Sequence, residues 1–453
     1  MISPYPWPSD IDRELHALES TPMTELGHWI RQKKSHQQTI HLTLALASAR
    51  WIDHHGPFIG HGTFNGGPIL RAASILTPPY QNLALLQTAS YVVDLLHHPN
   101  YGPYTLMAMD PLIPPLPKDP CQSLLESIES GENVLRAEHQ LVGLLQIESM
   151  DVVLQLLLEA ALRQFAENEH RLLIVHRAAQ LMDDTEGWTW GEPLLRAAIQ
   201  YLASRPHPHV PDEVSQLSAL ELSRSWFPET RDIEFLVRAL VDADYGTEPT
   251  LILAEANKGR GREPLGEAMS LAGAEILAQS DFDAHAVTGI HAVADLVRDP
   301  LLPHHLHALA LGVMLLGSRT RRQKAQRSRW SRAETPLPRK ATPADVREAV
   351  ASDASGDTAF GVVGAHIRDG ADPTAVAATL TEIALMSAGP FEAIHNVKML
   401  WGQLLETQRS HYPNLAWRHL AAGAATVART ANLDDAAPIL EVWRASGLTS
   451  MGT

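Results

Sequence analysis

Cysteine is almost absent: Cys121 is the only one in 453 residues. No intramolecular disulfide and no thiolate metal cluster can form, which excludes zinc-finger and iron–sulfur chemistry. Basic residues are scarce relative to acidic ones, 36 Lys and Arg against 52 Asp and Glu, giving a formal charge of −16. That sign opposes broad contact with phosphate backbones, so nucleic acid is not an expected partner. No stretch of about 18 residues is free of charge and helix-breaking proline, as a membrane span requires. The opening MISPYPWPSDIDRELH also lacks a basic segment followed by an apolar run, the mark of a secretory signal. A cytoplasmic protein without a membrane partner is therefore expected. Common catalytic signatures are missing as well: there is no HExxH, GxSxG or Walker loop, and the run Gly259-Arg260-Gly261 reaches Pro264 where a dinucleotide fingerprint needs its third glycine.

What remains is an ordinary globular composition, 45% apolar and 19% charged, with ample length for a deep core. Apolar residues recur at three- and four-residue steps almost throughout, and strict alternation is rare, so the chain reads as all-α. Leu141–Leu145 continuing through Val152–Leu162, and Val287, Ile290, Ala294 and Val297, carry the pattern. Thr342-Pro343 with Asp345, and Asp372-Pro373, set a capping side chain before a proline at the first helical position. Breaks are expected at Pro99–Pro120, Arg205–Pro211 and Gly246–Pro264, none long enough for a domain linker. The expectation is a bundle-like, multi-helix single core over residues 1–453 with long Pro/Gly-rich loops. Residues 319–340 hold nine Arg and Lys and one acid, Glu334. Such a run reads first as a solvated basic loop, spanning about 318–341, and second as a docking patch or a lid for an anionic substrate.

Histidine is the conspicuous excess, 23 residues. An acid three residues before a histidine, the spacing of di-iron carboxylate bundles, occurs four times, at Glu25/His28, Asp94/His97, Glu167/His170 and Glu392/His395, little above chance. A clearer signal is the pair His170/His176 and His285/His291, each six apart with Ala and Leu following at matched positions. Six helical residues turn 600°, so only one of each pair points squarely at a common centre, and His170 and His285 are favoured. His395 and Lys398 lie at i, i+3 among Ile394, Val397, Met399, Leu400 and Trp401. An amine in such company is desolvated, which favours its neutral form as a base or as a carbamate, an anionic oxygen ligand. Upstream, Gly60-His61-Gly62-Thr63-Phe64-Asn65-Gly66-Gly67-Pro68 reads as a histidine in a glycine-rich turn leading into a helix over Ile69–Ile75. His41 and the doublets His54-His55, His97-His98 and His304-His305 are further candidates.

The His170 segment, the His285-Ala-Val-Thr-Gly-x-His segment and the His395-x-x-Lys398 segment, in that order, resemble the questin oxidase-like family, oxygenases of aromatic polyketide tailoring. The resemblance implies a mononuclear non-haem iron held by four histidines and a carboxylated lysine. Carried over by segment, the ligands are His170, His285 and His395 with Lys398 as the carbamate; the fourth histidine is His61 by position in the chain, with His41 competing. It implies an oxygenase using Fe(II) and O₂ on a polycyclic aromatic or quinone-like metabolite, with NADPH or another reductant left open. Imidazoles with one hard oxygen donor suit Fe(II), and Glu167, Asp281, Asp283 and Glu392 are positioned in sequence to orient them. Three other readings are a di-iron centre on Glu167/His170 and Glu392/His395, a zinc hydrolase bridged by carboxylated lysine, and a non-enzymatic helical scaffold docking through the basic segment.

Overall fold

The computed structural model describes residues 3–33, 36–50, 61–96, 105–115, 117–163, 169–204, 228–244, 246–279, 284–298, 312–315 and 341–450, with only the backbone of Phe64, His285 and Ala286. Among them the chain is all-α, as its periodicity predicts, with no strand beyond an isolated bridge between Pro4 and Met107. The first half comprises α1 (Ser9–Glu19), α2 (Leu26–Lys33), α3 (Gln37–Arg50), α4 (His61–Ala73), α5 (Pro78–Leu96), α6 (Pro120–Ser130), α7 (Val134–Ile147), α8 (Met150–Leu162), α9 (His170–Thr185) and α10 (Gly191–Ala203). The second comprises α11 (Thr230–Asp242), α12 (Glu248–Asn257), α13 (Arg262–Gln279), α14 (Ala284–Arg298), α15 (Pro343–Ser352), α16 (Asp357–Arg368), α17 (Pro373–Ser387), α18 (Pro390–Arg409), α19 (Pro413–Thr430) and α20 (Leu433–Ala445). No described helix is long and apolar enough to cross a membrane.

Helix starts follow the capping chemistry. Thr342 and Asp345 form a reciprocal capping box ahead of Pro343, and the Asp372 carboxylate accepts from Thr374 N–H at 3.0 Å. Val287, Ile290, Ala294 and Val297 are all buried. Three boundaries differ from the sequence reading. The expected continuous helix through 141–162 breaks at Glu148, because Ser149 caps a new helix and its hydroxyl accepts from Val152 N–H. The expected loop at Gly246–Pro264 contains α12, because Pro249 and Pro264 both fall in first turns, where a missing N–H costs nothing. The supposed turn at residues 60–68 is helical from His61 onward. Its glycines serve close packing instead: a Cβ at Gly62 would meet Ser48 at 2.4 Å, and one at Gly67 the Leu181 backbone nitrogen at 3.1 Å.

A continuous apolar core runs from Leu15 to Leu448. The N-terminal helices are tied to the C-terminal ones by buried polar bonds. Gln87 donates to the Leu385 carbonyl at 3.0 Å, and Asn82 to that of Leu448 at 3.1 Å. Helix α4 is the hub, packing against α3, α5, α9 and α18. Helix α14 closes the other side, against α9 and α18. The segments 205–211 and 319–340, including the basic loop, lie outside the described residues.

Candidate functional site

Helix α4 delivers His61 and Asn65 one turn apart, a spacing that puts both on one face. His61 is buried, and its ring meets that of His170, at the start of α9, with 5.0 Å between centroids. On the other side His61 approaches Tyr91 of α5 edge-on at 6.3 Å. Tyr91 in turn meets His395 of α18 edge-on at 6.0 Å, so one phenol separates the two imidazoles. Tyr201 of α10 stands 6.3 Å from the His170 ring. Thus His61, His170 and His395, far apart in sequence, surround a single patch of the interior.

The lysine joins from the same helix as His395. Lys398, whose apolar neighbours predict desolvation, is only 5% exposed. Its Nζ donates to Asn65 Oδ1 at 2.6 Å, linking α18 directly to α4. His395 bonds within its own helix, Nδ1 to the Phe391 carbonyl at 2.5 Å. A carbonyl only accepts, so Nδ1 carries a proton, and in the neutral ring Nε2 then holds the lone pair, the tautomer a metal-binding or basic imidazole requires. Phe391, itself exposed, packs on the His395 ring with 4.3 Å between centroids.

Around this patch lie three further groups. Glu169 is 2% exposed, and its carboxylate sits 3.6 Å from His170 Nδ1, with Gly289 of α14 leaving the space it fills. His41 of α3 is buried beside Gly66, its Nδ1 3.7 Å from where a Cβ there would stand. Neither His41 nitrogen has a hydrogen-bond partner among the described residues, and burial pulls its pKa down to about 4, so it is neutral at neutral pH. His291 of α14 presses against α18 at Gly402, one turn beyond Lys398; a Cβ there would lie 2.0 Å from His291 Nδ1. Burial lowers its pKa to about 4 as well, with Glu406 opposing.

Of the expected ligands, His61, His170, His395 and Lys398 therefore converge on α4, while the side chain of His285 lies outside the described residues, as do Glu167, Asp281, Asp283 and the three histidine doublets. Between the two N-terminal candidates, His61 contacts another imidazole, whereas His41 lies on the flank facing α3. Glu392, the partner of His395 in the di-iron reading, is exposed while His395 is buried. Asn65, Tyr91 and Glu169 complete the surroundings without being singled out from sequence, together with His291, which the sequence offers as the less favoured member of its pair. Asn65 was discoverable as the i+4 neighbour of His61 once the segment is read as helix; Tyr91 carries no local signal.

No three His, Cys, Asp or Glu side chains among the described residues are gathered closely enough to hold a metal ion as they stand. The donor classes nevertheless suit Fe(II): imidazoles and a buried amine, with no thiolate among them. No protein-family model, no curated protein and no solved structure matches the chain.

Proposed function

We propose that the interior patch around α4 is the active centre of a non-haem iron oxygenase acting on a polycyclic aromatic or quinone-like small molecule. The observation that carries the reading is the convergence of His61, His170, His395 and Lys398 from three helices onto one buried patch. His61, His395 and Lys398 are buried and His170 half-buried beside them, and gathering titratable groups away from water is costly unless they share a task. His61, His170 and His395 would hold the ion, with Lys398 as its carbamate supplying an oxygen donor and a histidine of α14 completing the set. The iron would supply O₂ binding and activation. The chain's own part is to fix the His395 tautomer through the Phe391 carbonyl, to orient the lysine through Asn65, and to exclude water with Tyr91, Tyr201 and Phe391. These aromatic faces also suit an aromatic substrate.

The di-iron reading finds less support, because Glu392 faces outward. The deciding experiment is oxygen uptake by iron-loaded protein with a hydroxyanthraquinone, compared with metal-free protein and with Lys398→Ala. Uptake that needs iron, quinone and Lys398 together supports the reading. Uptake indifferent to Lys398 with two irons per chain supports the carboxylate centre instead, and no iron bound at all leaves a helical scaffold.

A further inference from the structure

A groove enclosing about 510 Å³ runs between α20, the start of α18, helix α5 and a single turn of 3₁₀ helix at Met23–Glu25. Its surface is mainly apolar, built from Met23, Pro390, Pro438, Ile439 and Val442. On α20 the lining residues Asp435, Pro438, Ile439, Val442 and Ala445 recur at three- and four-residue steps, so they form one helical stripe about 15 Å long. Apolar clefts of about 300–1,000 Å³ with a few polar groups are what small organic ligands occupy.

Ser90 of α5 supplies a polar group at depth. It lines the groove yet is 1% exposed, and its hydroxyl has one contact, the thioether of Met23 at 3.9 Å, a weak acceptor. Thr88, two residues earlier, behaves as helical hydroxyls usually do and donates to the Ala84 carbonyl at 2.8 Å. Ser90 turns to the groove residue instead, and a ligand carbonyl would be the better acceptor. Charge narrows the class further. Asp435 and Glu441 stand exposed on the rim, neither in an ion pair among the described residues, and no described Lys, Arg or His lines the groove. An anionic ligand would meet two like charges there, whereas an uncharged one would not. The Met23 sulfur favours an aromatic neighbour.

The groove adjoins the candidate centre. Ser90 immediately precedes Tyr91, and Pro390 immediately precedes Phe391; those two rings stand 5.8 Å apart and both meet His395. Phe391 is 42% exposed and the imidazole packed against it only 1%. One turn of α5 and the first turn of α18 thus carry both a wall of the groove and the rings that lie on His395.

We infer that this groove is a binding site for an uncharged polycyclic aromatic, with its rings along α20 and Met23 and a carbonyl oxygen on Ser90. The choice of an aromatic rests on the function proposed above; the site itself needs neither iron nor the histidines. Its rim carboxylates make it reject aromatic acids.

The test is calorimetric titration of the metal-free full chain with 2-hydroxymethylanthraquinone and with anthraquinone-2-sulfonate. The neutral probe should bind at least tenfold more tightly than the sulfonate. Ala445→Trp and Thr24→Trp, at exposed positions on α20 and on the 3₁₀ turn facing it, should fill the groove and weaken the neutral probe at least tenfold without lowering the melting temperature. Ser90→Ala should weaken it about threefold or more, and Asp435→Asn combined with Glu441→Gln should narrow the preference over the sulfonate. No binding of the neutral probe, equal or tighter binding of the sulfonate, or binding that both tryptophan variants leave unchanged would each overturn the assignment. Neutral-probe binding that those variants lose, in a chain that takes up no oxygen when loaded with iron, keeps the groove and removes the oxygenase reading. Iron- and quinone-dependent uptake that the groove variants leave unaltered removes the groove and keeps the oxygenase.

Discussion

Lys398 and Asn65 lie 333 residues apart in the chain and are joined by a 2.6 Å hydrogen bond in the interior, the amine of α18 donating to the amide oxygen of α4. Neither residue is accessible enough for this to be a surface contact. The bond fixes where the lysine ends, and so where any carbamate formed on it would sit.

Replacing Asn65 by Leu should therefore destabilise the protein by about 1–3 kcal/mol, the usual cost of depriving a buried polar group of an acceptor. Asn65→Asp should fold but hold the lysine as an ammonium, which cannot form a carbamate, and so bind iron poorly. Urea denaturation with iron analysis separates the two effects. Normal iron content in Asn65→Asp would show that a carbamate is not needed.

Gly402→Ala should cost about 1–3 kcal/mol, because its Cβ would stand 2.0 Å from His291 Nδ1 and one of two packed helices has to shift. Substitution of Gly246, whose surroundings are open to a Cβ but whose φ is +89°, should act only through backbone strain. Chemical denaturation of the two alanine variants checks whether the close approach of α14 to α18 is needed.

Much of this architecture was legible in the residues. The apolar period gave the helices, and Thr342, Asp345 and Asp372 marked where two of them begin. Two of the three boundary errors share a cause, that glycine and proline read as breaks; the third, a helix continued through Glu148, overlooks the capping hydroxyl of Ser149. Pro249 and Pro264 lie in first turns, where proline is tolerated, and Gly62, Gly66 and Gly67 stay helical because α3 and α9 pack too closely to admit a Cβ. Within the site, His395 and Lys398 are visible because a histidine and a lysine stand together in an apolar stretch. Tyr91 and Glu169 are not, since a lone aromatic or acid acquires meaning only from partners on other helices, and local pattern does not encode those.

Arg298 and Glu406 form a buried bidentate pair. Burial pushes the Glu406 carboxyl up, but the Arg298 charge and hydrogen bonds outweigh it and bring the pKa down to about 2. A carboxyl whose folded pKa lies below its unfolded value of 4.5 stabilises the fold above that value, and the contribution is lost as pH falls from 4.5 toward 2. Arg298→Met should cost about 3–5 kcal/mol at neutral pH by stranding the carboxylate, and should flatten the pH dependence of stability in that window.

His41 titrates in the opposite chemical sense but with the same pH direction. Its folded pKa of about 4 lies below the ordinary 6.5, so the unfolded chain binds the proton first. Stability is full above 6.5 and falls as pH drops toward 4, at up to about 1.4 kcal/mol per unit of pH. His41→Leu should remove its share of that slope and leave neutral-pH stability nearly unchanged, because neither ring nitrogen has a hydrogen bond to give up among the described residues. A large neutral-pH loss would contradict this.

The central claim is that His61, His170, His395 and Lys398 act together on one iron. Anaerobic Fe(II) titration of the purified chain in the presence of bicarbonate, followed by calorimetry, measures that directly. The account predicts one iron per chain in the parent protein and at least tenfold weaker binding in each of His61→Ala, His170→Ala, His395→Ala and Lys398→Ala, with all four variants still folded. Iron binding that is absent from the parent, or equal across all four variants, would contradict it.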